Sequence, residues 1–182
     1  IEYSKLKPSD IVLVDMEGQI VEGTLNPSSD TKTHLELYKA WPEIGGVTHT
    51  HSPAATSLAQ AGKDLPCYGT THADHFYGTV TVCRALTTDE LNEDYEKNTG
   101  LVIVKHFAEK GINPNEIPGV IQLHHAPFTW GKSALKSLDN SIALETCAKM
   151  AIDSWKVSPE LPAIPQYILD KHFLRKHGPD SY

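Results

Sequence analysis

The sequence predicts a layered α/β domain, in which helices cover a central sheet. Short runs rich in β-branched residues alternate along the chain with longer segments of helical periodicity, and no internal repeat or low-complexity tract interrupts them. The chain has 182 residues, of which 40% are hydrophobic, and this is enough to form one core. We therefore expect residues 1–182 to form a single domain.

Glycine, proline and capping residues set the expected limits of each element. Strands are predicted at residues 11–15, 20–21, 45–51, 79–86 and 120–124. Helices are predicted at residues 33–41, 53–61, 89–99, 101–107, 133–155 and 165–177, with Gly100 separating the third from the fourth. In the helix at 133–155, a 3.6-residue stripe predicts the buried face, and its members are Leu135, Leu138, Ile142, Leu144, Cys147, Ala148 and Ala151.

Charge and cysteine usage exclude several classes of protein. A net charge of −7 argues against a nucleic-acid partner. No apolar run approaches the roughly 18 residues of a membrane span. Cys67, Cys83 and Cys147 form no Cys-x-x-Cys pair, so we expect three buried thiols in a reducing cytoplasm rather than disulfides or a zinc finger.

Two of the ten histidines lie two residues apart on a predicted strand. Side chains at i and i+2 of a strand point to one face, so His49 and His51 can converge on one cation. Gly45 and Gly46 open this strand, and the carboxyl ends of strands in α/β sheets are where ligands bind. The alternative is a pair of partly exposed histidines on an edge strand.

A third ligand is expected where the strand at 120–124 ends. His125 is the better candidate, because His124 would point to the opposite face of that strand. An exchange of His124 and His125 remains open. Three imidazoles with open coordination positions suit a Lewis-acid metal, with zinc as the default and manganese or cobalt as substitutes.

Three further side chains near the start of a helix are candidates for the same site. Asp30 is a candidate fourth ligand or base, and its alternative role is a helix N-cap. Ser28 and Ser29 precede a helix N-terminus, where hydroxyl and N–H groups favour an anion such as phosphate, and simple capping is the alternative.

The expected roles of the remaining histidines follow from the predicted elements in which they lie. His34 and His106 lie in helices and are expected to be structural. His72 and His75 flank Asp74, and either is a candidate substrate contact. His172 shares a helical face with apolar neighbours, so it is a satisfied core or interface histidine or else a substrate contact.

Several long segments resemble the class II aldolase/adducin family, and within it the L-ribulose-5-phosphate 4-epimerases. They are residues 22–30, 44–52, 69–78, 127–131 and 169–178. The resemblance covers essentially the whole chain and implies a class II aldolase-like three-layer αβα fold with a central, largely antiparallel sheet flanked by helices.

The resemblance also implies roles for individual residues. The metal ligands would be His49, His51 and His125, with Asp30 at or beside the metal, where related fuculose-phosphate aldolases carry Glu. Asp74 would be the catalytic acid/base residue, and it would reach the site from a neighbouring subunit of a C4 homotetramer.

The activity implied is the interconversion of L-ribulose 5-phosphate and D-xylulose 5-phosphate by retro-aldol cleavage and re-addition at C4. The alternatives are a fuculose- or rhamnulose-phosphate type of aldolase and, more remotely, a non-catalytic adducin-like assembly domain. The resemblance leaves open whether the pathway is arabinose catabolism or ascorbate degradation.

Two parts of the family pattern are expected outside residues 1–182. One is an N-terminal phosphate-binding segment with Gly-Asn and Lys-Pro-Ser-Gly motifs. The other is a catalytic tyrosine in a Tyr-Tyr-Gly ending, because Tyr182 aligns with the first of its two tyrosines. The single class II aldolase/epimerase domain would thus lack both, and activity of the 182-residue chain itself stays open.

Overall fold

The computed structural model describes residues 2–178 and 181, and the chain divides into two compact units. Unit 1 comprises Ile1–Pro42 and Leu86–Val104, and unit 2 comprises Glu43–Ala85 and Lys105–Tyr182. The expectation of a single domain over the whole chain stays a prediction. Among the described residues, no helix has both the length and the apolar character that a membrane crossing requires.

Six α-helices and six strands are assigned within the described residues, besides two short 3-10 helices at Tyr3–Lys5 and Pro8–Asp10. The helices are α1 (Thr31–Ala40), α2 (Pro53–Ala61), α3 (Thr70–Ala73), α4 (Thr88–Lys110), α5 (Ala134–Val157) and α6 (Gln166–His177). The strands are β1 (Leu13–Val14), β2 (Ile20–Glu22), β3 (Gly46–His49), β4 (Val82–Cys83), β5 (Gly119–Gln122) and β6 (Pro127–Gly131).

Unit 1 pairs β1 with β2 in antiparallel fashion and packs α1 against the first part of α4. The Thr33 hydroxyl donates a 2.6 Å hydrogen bond to the Glu96 carbonyl oxygen. A Cβ at Gly100 would lie 2.7 Å from the Glu36 Cβ, so this glycine permits close approach of α1. The prediction that Gly100 separates two helices is wrong, because α4 is continuous there and its angles leave the helical region at Asp94 instead.

Unit 2 is built on a four-stranded sheet with the order β3-β6-β5-β4. β6 runs antiparallel to both β3 and β5, and only the β4–β5 pair is parallel. The predicted strand at 79–86 is reduced to β4 and an isolated bridge between Leu65 and Val80. β6 was not predicted as a strand, because it is short and begins with Pro127.

Helices cover both faces of this sheet. The Thr129 hydroxyl donates to the Ser137 carbonyl oxygen of α5 at 3.0 Å, so this side of β6 faces α5. Its neighbour Trp130 therefore points to the opposite face, where its ring contacts Phe107 of α4 at a centroid distance of 5.2 Å. The predicted αβα layering with a largely antiparallel sheet is confirmed.

The buried face of α5 differs from the predicted stripe. Leu135, Leu138 and Ile142 are exposed by 80%, 46% and 60%, whereas the second half of the stripe is buried as expected. Polar side chains occupy the sheet-facing positions of the first turns, and the Asn140 amide donates to the Trp130 carbonyl oxygen at 2.8 Å. Hydrophobic periodicity therefore identified the wrong face at the start of this helix.

All three cysteines are free thiols in the interior, as predicted. Burial raises the pKa of the Cys67 thiol to about 11 and the pKa of the Cys147 thiol to about 12. Both groups are therefore neutral near pH 7 and are poor ligands for a metal ion.

Candidate metal centre

Three histidine side chains from two separate segments of unit 2 lie close together. His49 ends β3, His51 comes two residues later, and His125 lies in the turn between β5 and β6. Their ring centroids are separated by 5.0 Å, 4.8 Å and 5.0 Å, and one potential ligand atom from each lies within 4.8 Å of the others. The structure thus brings together the three residues that the sequence selected as metal ligands.

The register between β3 and β6 orients the His49 ring. His49 lies opposite Phe128, and the two rings stack with centroids 4.0 Å apart and planes inclined by 15°. The His49 Nδ1–H donates to the Pro127 carbonyl oxygen at 2.9 Å, which fixes the tautomer. The Nε2 lone pair is then available for a metal, in the manner typical of metal-binding histidines.

The turn after β5 separates the two adjacent histidines. His124 has a φ of 62°, a left-handed conformation that histidine adopts more readily than most residues, and its side chain is exposed. The next amide closes the turn, since His125 N–H donates to the Gln122 carbonyl oxygen at 3.0 Å. His125 belongs to the three-histidine cluster and His124 does not.

The donor set fits a divalent transition metal. In a tetrahedral site with bonds of 2.0–2.1 Å, ligand nitrogens are about 3.3 Å apart, so ligand atoms already within 4.8 Å of one another need only a small inward movement. His51 is exposed and its two partners are half-buried, which leaves the outer side of the cluster open. An open side is what a catalytic site needs and a structural zinc site lacks.

The helix after His51 is capped by a distant carboxylate. Ser52 and Pro53 take the predicted N-cap and first helical positions, yet the Ser52 hydroxyl makes no capping hydrogen bond. Glu145 of α5 accepts instead from the N–H groups of Ala54 and Ala55, each at 2.9 Å. Sequence reasoning missed Glu145, because no local pattern links it to residues about 90 positions earlier.

Asp74 lies at the end of α3 and is held by side chains of α6. Its carboxylate accepts from His172 Nδ1–H at 3.0 Å and from Arg175 Nη2 at 3.1 and 3.2 Å, with Lys176 Nζ at 3.5 Å. Burial acts to raise the pKa of Asp74, but the hydrogen bonds from His172 and Arg175 and the nearby positive charges outweigh it and lower that pKa. Asp74 is therefore ionised near pH 7 and can accept a proton.

Asp74 and the three-histidine cluster do not share a cavity within one chain. Asp74 lines an open cavity of about 1070 Å³ together with His75, Lys136 and Lys176. The described residues around this cavity include none of the three clustered histidines. The catalytic role of Asp74 stays a prediction, and it requires the two groups to meet in some other way.

The candidates near α1 lie in unit 1. Asp30 occupies the N-cap position of α1, and its carboxylate makes no capping hydrogen bond. The Ser28 hydroxyl accepts from the Asp30 N–H at 3.3 Å, and Ser28 and Ser29 are both exposed. Metal binding by Asp30 and phosphate binding by the two serines stay predictions. Tyr182 lies outside the described residues.

Two other histidines have structural partners. His72 is buried, its Nε2–H donates to the Gly78 carbonyl oxygen at 2.6 Å, and burial lowers its pKa to about 4. This arrangement favours a structural role over a substrate contact. His106 Nε2 is 2.7 Å from the Thr81 hydroxyl, in agreement with the expected structural role.

A family model of the class II aldolase and adducin N-terminal domain matches residues 1–152. The chain belongs to the class II aldolase and adducin family. The L-ribulose-5-phosphate 4-epimerase UlaF of Salmonella paratyphi C (strain RKS4594) is 47% identical over 182 residues, which is all of this chain and 79% of the relative. The protein of the same name from Salmonella typhi is 46% identical with the same coverage.

Solved structures place the fold in the same class II aldolase family. An L-fuculose 1-phosphate aldolase is 25% identical with a TM-score of 0.75, and the match covers 94% of this chain and 74% of that one. YgbL of Klebsiella pneumoniae, described as a putative aldolase/epimerase/decarboxylase, has a TM-score of 0.68 at 19% identity, covering 92% and 75%. The similarity to YgbL concerns the fold alone. Both structural matches agree with the family resemblance found in the sequence.

His125→Asn and His124→Asn form a matched pair that tests the cluster in this class II aldolase-family chain. Asn tolerates the left-handed angle of residue 124, so both variants should fold. We expect zinc affinity, measured by chelator competition, to fall by more than about 100-fold for His125→Asn, beyond the usual effect of losing an outer-shell partner. His124→Asn should match the unaltered chain, and the reverse pattern would assign the ligand to His124.

Proposed function

We propose that this chain is an L-ribulose-5-phosphate 4-epimerase, which interconverts L-ribulose 5-phosphate and D-xylulose 5-phosphate. The observation that carries the proposal is the cluster of His49, His51 and His125 in a chain 47% identical, over its whole length, to relatives named for this activity. The hydrogen on C4 is not acidic, so epimerisation there cannot proceed by simple deprotonation, and breaking and remaking the C3–C4 bond provides a route.

The three imidazoles would hold a divalent ion, with zinc as the first choice and manganese or cobalt as substitutes. Asp30 would lie at or beside it. When bound, such an ion supplies Lewis-acid stabilisation of negative charge on substrate oxygens. The His49 Nδ1 bond to the Pro127 carbonyl oxygen keeps that ring in the orientation and tautomer that a ligand needs.

The reaction would begin with loss of the C4 hydroxyl proton to a base while the C3–C4 bond breaks. The electron pair of the C3–C4 bond stays with the three-carbon fragment, and the other fragment is glycolaldehyde phosphate. Rotation of that aldehyde presents its opposite face, and the bond re-forms with inverted configuration. Asp74 would serve one face, since its carboxylate is ionised near pH 7, while its lowered pKa makes it a weak base on its own. A tyrosine, which the family resemblance implies, would serve the other.

Other residues would bind the substrate or hold the base. Ser28 and Ser29 precede the α1 N-terminus, which suits the phosphate group. His172 and Arg175 hydrogen-bond Asp74, so we assign them first to holding that carboxylate. A direct contact between His172 and the substrate is the second possibility.

The sites would lie between subunits of a homotetramer. Asp74 lines a cavity without the histidine cluster, so a neighbouring chain would have to supply it. Leu135 and Ile142 expose an apolar face of α5 that suits a subunit contact. The buried free thiols agree with a reducing cytoplasm, and the pathway is either arabinose catabolism or ascorbate degradation.

A sugar-phosphate aldolase is the second candidate, because the L-fuculose 1-phosphate aldolase structure has a TM-score of 0.75. It would release the two fragments rather than rejoin them. A non-catalytic adducin-like assembly role is disfavoured, because such a chain has no need of three converging imidazoles. Product analysis separates the first two functions, and condensation of dihydroxyacetone with glycolaldehyde phosphate tests the retro-aldol route.

The zinc-loaded protein should convert L-ribulose 5-phosphate to D-xylulose 5-phosphate. Asp74→Asn should retain the metal but slow turnover by roughly 100-fold or more, because a general base is lost. The measurement combines metal analysis with a coupled assay for the pentulose product. Full turnover by Asp74→Asn would remove its acid/base role, and net release of free aldehyde would favour the aldolase.

Sites shared between subunits predict complementation of two inactive variants. Each His49→Asn subunit retains Asp74, and each Asp74→Asn subunit retains the histidines. When the two are unfolded together and reassembled at equal amounts, about a quarter of the sites in a cyclic homotetramer should combine both intact halves. Activity near that level is expected, and a mixture as inactive as its parents would show that each site lies within one chain.

A further inference from the structure

We infer that Glu145 is a positioning residue for the metal centre, because its carboxylate fixes the start of α2 and with it the place of His51. The inference rests on the proposed function, since it presupposes that His51 binds a metal. The described hydrogen bonds of Glu145 go to the backbone of α2, and it would act through that backbone.

The first turn of α2 depends on Glu145 for its hydrogen bonds. The leading N–H groups of a helix have no partner within the helix, and an N-cap side chain usually accepts one of them. Here both oxygens of Glu145 are used, on Ala54 N–H and Ala55 N–H at 2.9 Å each. The Ser52 hydroxyl makes no cap and, among the described residues, is buried without a hydrogen-bond partner.

His51 depends more than the other ligands on the position of α2. His49 has a ladder position opposite Phe128 and a bond to the Pro127 carbonyl oxygen. His51 lies beyond the end of β3, and its described ring contacts are with the other two histidines. The chain after His51 enters α2 within two residues, so the helix start determines where this side chain can point.

Glu145 belongs to α5, the helix that is also hydrogen-bonded to β3 and β6. The Thr48 hydroxyl of β3 lies 2.8 Å from the Ser137 hydroxyl of α5, and Asn140 of α5 donates to the Trp130 carbonyl oxygen of β6. Glu145 comes after these residues on the same rigid helix. Its carboxylate therefore connects α2 to the sheet edge that carries His49.

The charge of Glu145 acts in the same direction as its hydrogen bonds. A helix N-terminus carries roughly half a positive charge, which opposes a nearby dication. Ala54 is three residues from His51 and Ala55 is four, so the capped amides lie within about 14 Å of the His51 backbone. A carboxylate bound to both amides offsets this positive end, and its removal should weaken metal binding.

The inference is tested by measuring the zinc Kd of the folded protein by chelator competition, which does not depend on turnover. Glu145→Gln removes the charge and one acceptor, and the zinc Kd should rise by about 10- to 100-fold, as for loss of other outer-shell partners. Glu145→Asp keeps the charge on a shorter arm and should lie between Glu145→Gln and the unaltered chain. Asp153→Asn is the matched control, because it removes an exposed carboxylate from the same helix, and its Kd should stay within about 2-fold.

Unfolding of the metal-free variants separates positioning from simple stability. If Glu145→Gln lowers the free energy of unfolding but binds zinc like the unaltered chain, Glu145 is only structural and the inference is overturned. If Glu145→Gln does not fold, the same criterion applies to Glu145→Asp. An unaltered chain that binds no zinc would overturn the metal centre and this inference together, whereas normal zinc binding in all variants overturns the inference alone.

Discussion

The antiparallel register between β3 and β6 is the constraint on which the site depends. It sets His49 opposite Phe128, where the ring is held by stacking at 4.0 Å and by the Pro127 carbonyl oxygen. Because successive strand residues face opposite sides, a slip of one residue would turn His49 toward α5 and away from His125. A single pairing thus fixes both the position and the tautomer of one ligand.

The start of α5 holds that register in place. A Cβ on Gly46 would lie 2.5 Å from the Ala134 backbone nitrogen, so only glycine allows the helix to approach β3 this closely. Hydroxyl groups of Thr48 and Ser137 then join the two elements. Buried polar contacts, rather than apolar ones, connect this end of the helix to the sheet, and they make the geometry specific because each group needs its partner.

The sequence predicted the features that depend on local periodicity. The i and i+2 spacing of His49 and His51 predicted that they lie on one face of a strand. The two do converge, although β3 ends at His49 and His51 lies beyond it. The exposed start of α5 was not accessible, because polar side chains occupy the positions that normally carry the apolar stripe. Glu145 was missed for a related reason: a cap supplied from a distant helix leaves no pattern beside Ser52. The relation of Asp74 to the histidines stays a prediction, because the cavity that Asp74 lines contains none of the three clustered histidines.

The most direct test of the metal centre is X-ray absorption at the zinc edge on the zinc-loaded protein. His49, His51 and His125 should contribute three imidazole nitrogens at about 2.0–2.1 Å, together with oxygen from water or carboxylate. The spectrum should contain no sulfur at about 2.3 Å, because the three cysteines are buried with raised pKa values. A sulfur shell, or fewer than three imidazoles, would contradict the account.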